Sequence, residues 1–252
     1  MFSTTLPLSA LIFLAATLYT SVGHAGASGY IAAMALFGVA PAVMKPTALC
    51  LNILVASFAT WRLYAAGWVN ARAILPFLIG SVPLAFAGGA IQLPGDLYKV
   101  VVGLVLLFAA SRLMIDPRKT TTTVIEPAAA PPMIAAIAIG AGVGLLAGLT
   151  GTGGGIFLSP ILLFAGWAGA RQSAGMTAPF ILINSIAGLA GNYLSLSAVS
   201  VEIPIYAAAA LAGAVLGTQM AIHWFSPATL QRVLAAALVV AGGKLILTAF
   251  NG

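Results

Sequence analysis

Charge is nearly missing from this sequence. Of 252 residues, ten are Lys or Arg and four are Asp or Glu, so charged side chains make up 6% of the chain and hydrophobic ones 62%. A soluble domain carries about 25% charged residues because its surface faces water, so the composition argues against a soluble enzyme. Acidic groups are confined as well. Asp96, Asp116, Glu126 and Glu202 all fall at the edges of apolar runs or in a linker, which leaves a carboxylate relay or a carboxylate cation site without support. Cys50 is the only cysteine, so an internal disulfide and a cysteine-based metal site are excluded, and in its apolar run it reads as a small buried hydrophobe. No basic cluster is interleaved with aromatics, so nothing supports a nucleic-acid partner. No Lys or Arg precedes the first apolar run at residues 1–22, so the positive n-region of a signal peptide is missing and the start is expected to belong to the fold.

Apolar length is what the chain has in excess. Its mean hydropathy is +1.12. A span needs about 20 apolar residues to cross about 30 Å of hydrocarbon, so a chain of this length allows about 7 to 10 crossing or half-crossing segments. The expected fold class is all-α, a polytopic membrane protein. Breakers and charges mark ten stretches, at about 5–22, 29–44, 47–66, 72–92 and 97–115, then 132–149, 154–168, 173–195, 199–224 and 229–250. Between the two sets, residues 116–131 are polar, with four consecutive threonines and several prolines, and read as a flexible linker. The expected organisation is a first transmembrane repeat at 1–115, this linker, and a second repeat at 132–252.

The repeat is visible as ordered weak matches. Gly29-Tyr30-Ile31 aligns with Gly155-Ile156-Phe157 at an offset of 126, Ala56-Ser57 with Asn184-Ser185 at 128, Gly88 with Gly217 at 129, and Leu97-Tyr98-Lys99-Val100 with Leu230-Gln231-Arg232-Val233 at 133. Five segments per half is an odd number, so the second half should be inverted in the membrane. Inverted repeats with broken helices are a recurring plan of secondary transporters, with the substrate site near the midplane. If the N-terminus lies on one face, the opposite face receives Arg62, Arg72, Arg112, Arg118, Lys119, Arg171 and Arg232, and the N-terminal face receives Lys45, Lys99 and Lys244. The positive-inside rule then puts the linker in the cytoplasm and both termini outside.

Two stretches, 29–44 and 154–168, are below the usual spanning length, which leaves full crossing and re-entrant insertion both open, and each follows a glycine-rich break: Gly23-His24-Ala25-Gly26-Ala27-Ser28-Gly29 and Gly151-Thr152-Gly153-Gly154-Gly155. Irregular backbone of this kind cannot face lipid, so it must be buried in protein or line a wet cavity. A helix opening after each break presents free N–H groups and a partial positive charge, which suits an anion. The candidate substrate-binding residues are therefore Gly26, Ser28 and Gly29 in the first break and Thr150, Thr152, Gly153, Gly154 and Gly155 in the second. His24 can donate to an anion or take part in proton coupling, and a structural, hydrogen-bonded histidine is the competing reading. Ser57, Asn184 and Ser185 are candidates for the cavity wall. Interhelical hydrogen bonding competes for these, and tight helix packing for the glycines. Gly-Thr-Gly-Gly-Gly is not followed by Gly-Lys-Ser/Thr, so a nucleotide loop is rejected. Lys45 and Arg171 read as snorkelling to headgroups or as drawing anions into a vestibule.

The two break motifs, each opening a half, resemble those of the sulfite exporter TauE/SafE family of membrane permeases, and the similarity extends through Ala-Gly-Ala-Val-Leu-Gly at 212–217 and covers almost the whole chain. The resemblance implies export of small sulfur-containing anions, sulfite or organosulfonates, by a multi-pass protein of the cell inner membrane. No cofactor or metal is expected, and the expected partners are the anion and the bilayer, with a homodimer left open. Coupled uptake of the same anions and an anion channel are the competing readings. An intramembrane enzyme ranks last, because no nucleophile–base pair is present.

Overall fold

The computed structural model describes residues 2–114, 131–223 and 228–250; the proposed linker and its charges lie outside them. Among the described residues the secondary structure is helical throughout. The first half runs α1 (Phe2–Thr20), α2 (Ala27–Leu36), α3 (Pro41–Ala65), α4 (Ala71–Ala90) and α5 (Gly95–Met114). The second runs α6 (Met133–Thr150), α7 (Gly155–Phe164), α8 (Ala170–Gly191), a 3-10 turn at Tyr193–Ala198, α9 (Ile203–His223) and α10 (Ala228–Phe250). Each expected apolar stretch contains one helix. The two short stretches are ten-residue helices, about 15 Å long, half of what a bilayer needs. Local chemistry sets several ends. Pro41 opens α3 where a missing N–H is tolerated, and the Asn70 side chain accepts from Ala73 N at 3.2 Å to cap α4.

Five described helices are long and apolar enough to cross a membrane: α3, α4, α6, and the segments Arg171–Gly191 and Ile203–Met220 of α8 and α9. Large apolar side chains such as Leu75, Ile79 and Phe86 on α4 and Val240, Leu247 and Phe250 on α10 are exposed, as a lipid-facing surface requires. This is a multi-pass, all-helical membrane protein.

Packing comes in matched pairs. α4 runs alongside α6, where Gly140, Gly144 and Gly148 lie against the carbonyls of Phe77, Ser81 and Ala85. α9 runs alongside α1, where Gly213 and Gly217 lie against the carbonyls of Phe13 and Thr17. A methyl group at any of these glycines would collide with backbone, so bare helix surfaces set the approach. In lipid no hydrophobic force presses helices together, and close backbone contact takes its place. α3 and α8 are antiparallel: Leu49 lies beside Gly188, Asn52 beside Ser185, and Leu63 shares a cluster with Ala174. α5 and α10 are also antiparallel, with Lys99 reaching Thr248 and Gly103 against Gly242 and Ile246.

Charges mark the two ends of the bundle. Arg112 stacks on Phe164 at 4.2 Å and Arg171 over Trp68 at 5.5 Å, both at the end where α4 and α8 begin. At the opposite end, Lys244 donates to the Leu36 carbonyl at 2.9 Å and Lys99 pairs with Asp96 at 2.8 Å. Lys45 departs from both readings of its sequence. It is 5% exposed, and its Nζ donates to the carbonyls of Gly88 (3.3 Å), Gly89 (2.9 Å) and Ile91 (3.2 Å). It neither snorkels nor opens a vestibule; it closes the C-terminus of α4, where orphan carbonyls and the dipole favour a cation. Cys50 is half-buried on α3.

The glycine seams give a controlled test. Gly144 faces the Ser81 backbone, whereas Gly142, two residues earlier on α6, has nothing within 4 Å of an added methyl. Gly144→Ala should destabilise the detergent-solubilised protein by about 1–3 kcal/mol through overpacking. Gly142→Ala should be neutral or stabilising by up to about 1 kcal/mol. Thermal unfolding of the two variants measures the difference.

Candidate functional site

Both breaks use glycine for conformations that other residues avoid. In the first, α1 ends at Thr20, a turn passes through Gly23, and Gly26 enters α2 as its N-cap at φ +105°. A methyl group at Gly26 would meet the Tyr30 hydroxyl at 2.8 Å, because the buried Tyr30 folds back and donates to the Ala25 carbonyl. In the second break, α6 ends at Thr150, and Gly154 enters α7 as its N-cap at φ +81°. Neither N-terminus is capped by a side chain, so the first-turn N–H groups of α2 and α7 have no side-chain acceptor.

The two breaks touch. His24 Nε2 lies 3.1 Å from the carbonyl oxygen of Gly155, the first residue of α7, and Nδ1 lies 3.2 Å from the Val22 carbonyl. Carbonyls only accept, so the doubly protonated ring satisfies both contacts and the neutral ring satisfies one. The Tyr19 ring stands edge-on to His24 with centroids 6.3 Å apart.

The second break rests against α3 and α8. Asn52 Nδ2 donates to the Ser185 hydroxyl at 3.2 Å and to the Thr152 carbonyl at 3.4 Å. A methyl group at Gly153 (φ +73°) would collide with Asn52 and Ser185, and one at Gly155 would collide with Ile181 and Thr177. Asn184 Nδ2 donates to the Phe180 carbonyl at 2.8 Å. The hydroxyls of Thr150 and Thr152 are 2.9 Å apart, and Tyr98 on α5 donates to the Thr150 carbonyl at 3.1 Å.

The structure thus gathers His24, Thr150, Thr152, Gly153, Gly155 and Ser185 at or beside the junction of the breaks, with Asn184 next to Ser185 on α8. The other candidates are placed differently. Ser28 is buried and donates to the Tyr19 hydroxyl at 2.7 Å. Gly29 packs on Ala15 and Tyr19 of α1, and Gly154 on Val143, Ala147 and Phe180. Ser57 is exposed on α3, with its hydroxyl donating to the Ile53 carbonyl at 2.7 Å, and the structure leaves it outside the cluster. A serine or threonine hydroxyl on a helix can bond the carbonyl of the preceding turn, and the spacing of Ser57 alone did not reveal which face it occupied. Asn52 and Thr177 belong to the wall, and Tyr19, Tyr30 and Tyr98 brace the breaks. These tyrosines carry no sequence signal, because an aromatic in an apolar run reads as core.

Among the described residues two cavities stand out. One, of about 380 Å³, lies where α1, α2, α3 and α9 approach one end and includes Thr5, Phe37, Glu202 and Tyr206. The other, of about 540 Å³, is an apolar groove between α4 and α8. Neither contains a residue of the breaks.

Gly153 and Gly166 separate backbone strain from crowding. Both have positive φ, but an added methyl at Gly166 meets nothing within 4 Å. Gly166→Ala should cost about 1–2 kcal/mol from the left-handed conformation alone. Gly153→Ala should lower the melting temperature further, because Asn52 and Ser185 must also move.

Residues 8–245 match the family model described as sulfite exporter TauE/SafE. A protein of Sinorhizobium fredii (strain NBRC 101917 / NGR234) named "Probable membrane transporter protein y4hK" is 39% identical over 239 residues, covering 95% of this chain and 97% of its own length. No solved structure matches the chain significantly. With a family match over nearly its whole length and a relative aligned end to end, the chain belongs to the sulfite exporter TauE/SafE family of membrane transporters.

Proposed function

We infer that the protein carries small sulfur-containing anions, sulfite or an organosulfonate, across the cell inner membrane, and that the direction is export. The observation carrying this reading is that the two breaks, one from each half of the chain and each opening into a helix without a side-chain cap, meet where His24 contacts the Gly155 carbonyl. Each N-terminus is equivalent to about half a positive charge. Together with their N–H groups they favour an anion without placing a full opposite charge in the membrane. A carrier must also release its cargo, and partial charges hold it less tightly than a buried lysine would.

The arrangement of the halves supports alternating access. Exchanging α1–α5 with α6–α10 converts the α4–α6 pair into α9–α1 and returns the antiparallel pairs α3–α8 and α5–α10 to themselves. That pattern supports the reading as an inverted repeat, whose halves would rock about a central site. Arg62, Arg72, Arg112 and Arg171 at one end, against Lys45, Lys99 and Lys244 at the other, support a cytoplasmic face on the arginine side and external termini. An inside-negative potential then drives a monoanion outward by about 2.3 kcal/mol per 100 mV, without a coupling ion. Proton-coupled uptake is the second reading, favoured by the two carbonyls that His24 faces.

Purified protein in liposomes tests the proposal. Sulfite efflux should saturate, should be accelerated by sulfite on the opposite side, and should follow an imposed outward-directed driving potential. Flux that rises linearly with concentration and shows no counterflow would identify a channel instead. Flux that requires a proton gradient and is lost in His24→Gln would establish the second reading. A reporter active only in the cytoplasm, fused to the C-terminus, should stay silent.

A further inference from the structure

The wall of the second break holds three polar atoms that its own fold leaves unused. Asn52, Thr177 and Asn184 are all fully buried, and Asn52 Oδ1, Asn184 Oδ1 and Thr177 Oγ1 have no hydrogen-bond partner. The two amides cannot be turned to hide this. Asn52 Nδ2 sits against the Thr152 carbonyl and Asn184 Nδ2 against the Phe180 carbonyl. A carbonyl accepts and never donates, so each amide must keep its nitrogen there, and its oxygen is the atom left without a partner. The break therefore combines two kinds of group. The N-terminus of α7 offers N–H donors and positive partial charge, while the α3 and α8 wall offers acceptors that need donors.

No full positive charge stands ready for a second negative charge. Each of the three carbonyls around Lys45 Nζ occupies one of its protons, and among the described residues the remaining interior cation candidate is His24. A metal or sodium ion would suit the amide oxygens but not the adjoining helix N-terminus, which repels it. A plain dianion would suit the N-terminus but would set its oxygens against the amide oxygens. We propose that the second break recognises a sulfur oxyanion that carries a single negative charge and its own hydrogen-bond donor, O–H or N–H, with the anionic end at α7 and the donor end on Asn52 and Asn184. Hydrogen sulfite and hydroxyalkane sulfonates have this form. The assignment rests on the anion-carrier reading above and specifies what that carrier selects.

A matched pair of probes tests it: 2-hydroxyethanesulfonate and propane-1-sulfonate have the same sulfonate and the same number of heavy atoms, and differ in one O–H. In thermal-shift titrations of the full-length protein, the hydroxylated probe should bind at least about tenfold more tightly, because its analogue leaves buried acceptors unpaired. In Asn184→Leu and Asn52→Leu, tested separately, that preference should fall toward unity while binding of propane-1-sulfonate is retained. Equal affinity of the wild-type protein for both probes would overturn the proposal, whether or not the variants fold. Stabilisation by sodium ion alone that disappears in Asn184→Leu would overturn it in favour of a cation site. Failure of every sulfonate and of sulfite to bind would count against the anion-carrier reading itself, a different outcome from binding without preference.

Discussion

Backbone N–H and C=O groups cannot be left facing hydrocarbon, and the rest of this structure follows from that constraint. α2 and α7 are too short to cross a bilayer, and each is joined to its predecessor by irregular backbone. Such backbone survives only where protein surrounds it. The second break is accordingly covered by α3 and α8, the first lies against α8 through Gly23 and Ala174, and the two breaks meet at His24 and Gly155. The tyrosines serve the same need. Tyr30 and Tyr98 donate to carbonyls that the helix ends expose, at Ala25 and Thr150.

Close helix contact is the second consequence. Burying a break leaves little room between neighbouring helices, so α4 meets α6, and α1 meets α9, through glycines set directly on backbone carbonyls. These seams cannot accept added volume unless backbone moves. They flank the α3–α8 pair, and a carrier of this design would move along such smooth surfaces more readily than along interlocked side chains.

The electrostatic plan follows from the near absence of charge. The described arginines and lysines sit toward the bundle ends, and the one deeply buried lysine is occupied by the C-terminus of α4. The junction of the breaks is then governed by dipoles: helix N-termini, amides and hydroxyls. Dipoles of this size can select an anion without trapping it.

How much of this was legible depends on the kind of signal. Ten apolar stretches and two glycine breaks were evident because hydrophobic length and glycine spacing are properties of consecutive residues. The all-helical class followed from the same constraint, since lipid allows a helix to satisfy its own backbone. Thr152, Gly153, Gly155 and Ser185, singled out from their break or repeat positions, lie beside one another in the structure. Ser57 lies apart from them, because the repeat matched residue type and could not report that this side chain is exposed and bonded within its own helix. Lys45 looked like a headgroup anchor for a similar reason: its partners, Gly88, Gly89 and Ile91, are more than forty residues away. Amide orientation at Asn52 and Asn184 depends on which carbonyls face each nitrogen. The sequence by itself determined the segments, their breaks and the membrane setting, because these rest on local composition. Only the tertiary structure decided which polar atoms meet and which remain without partners, because those depend on contacts between helices that no local pattern encodes.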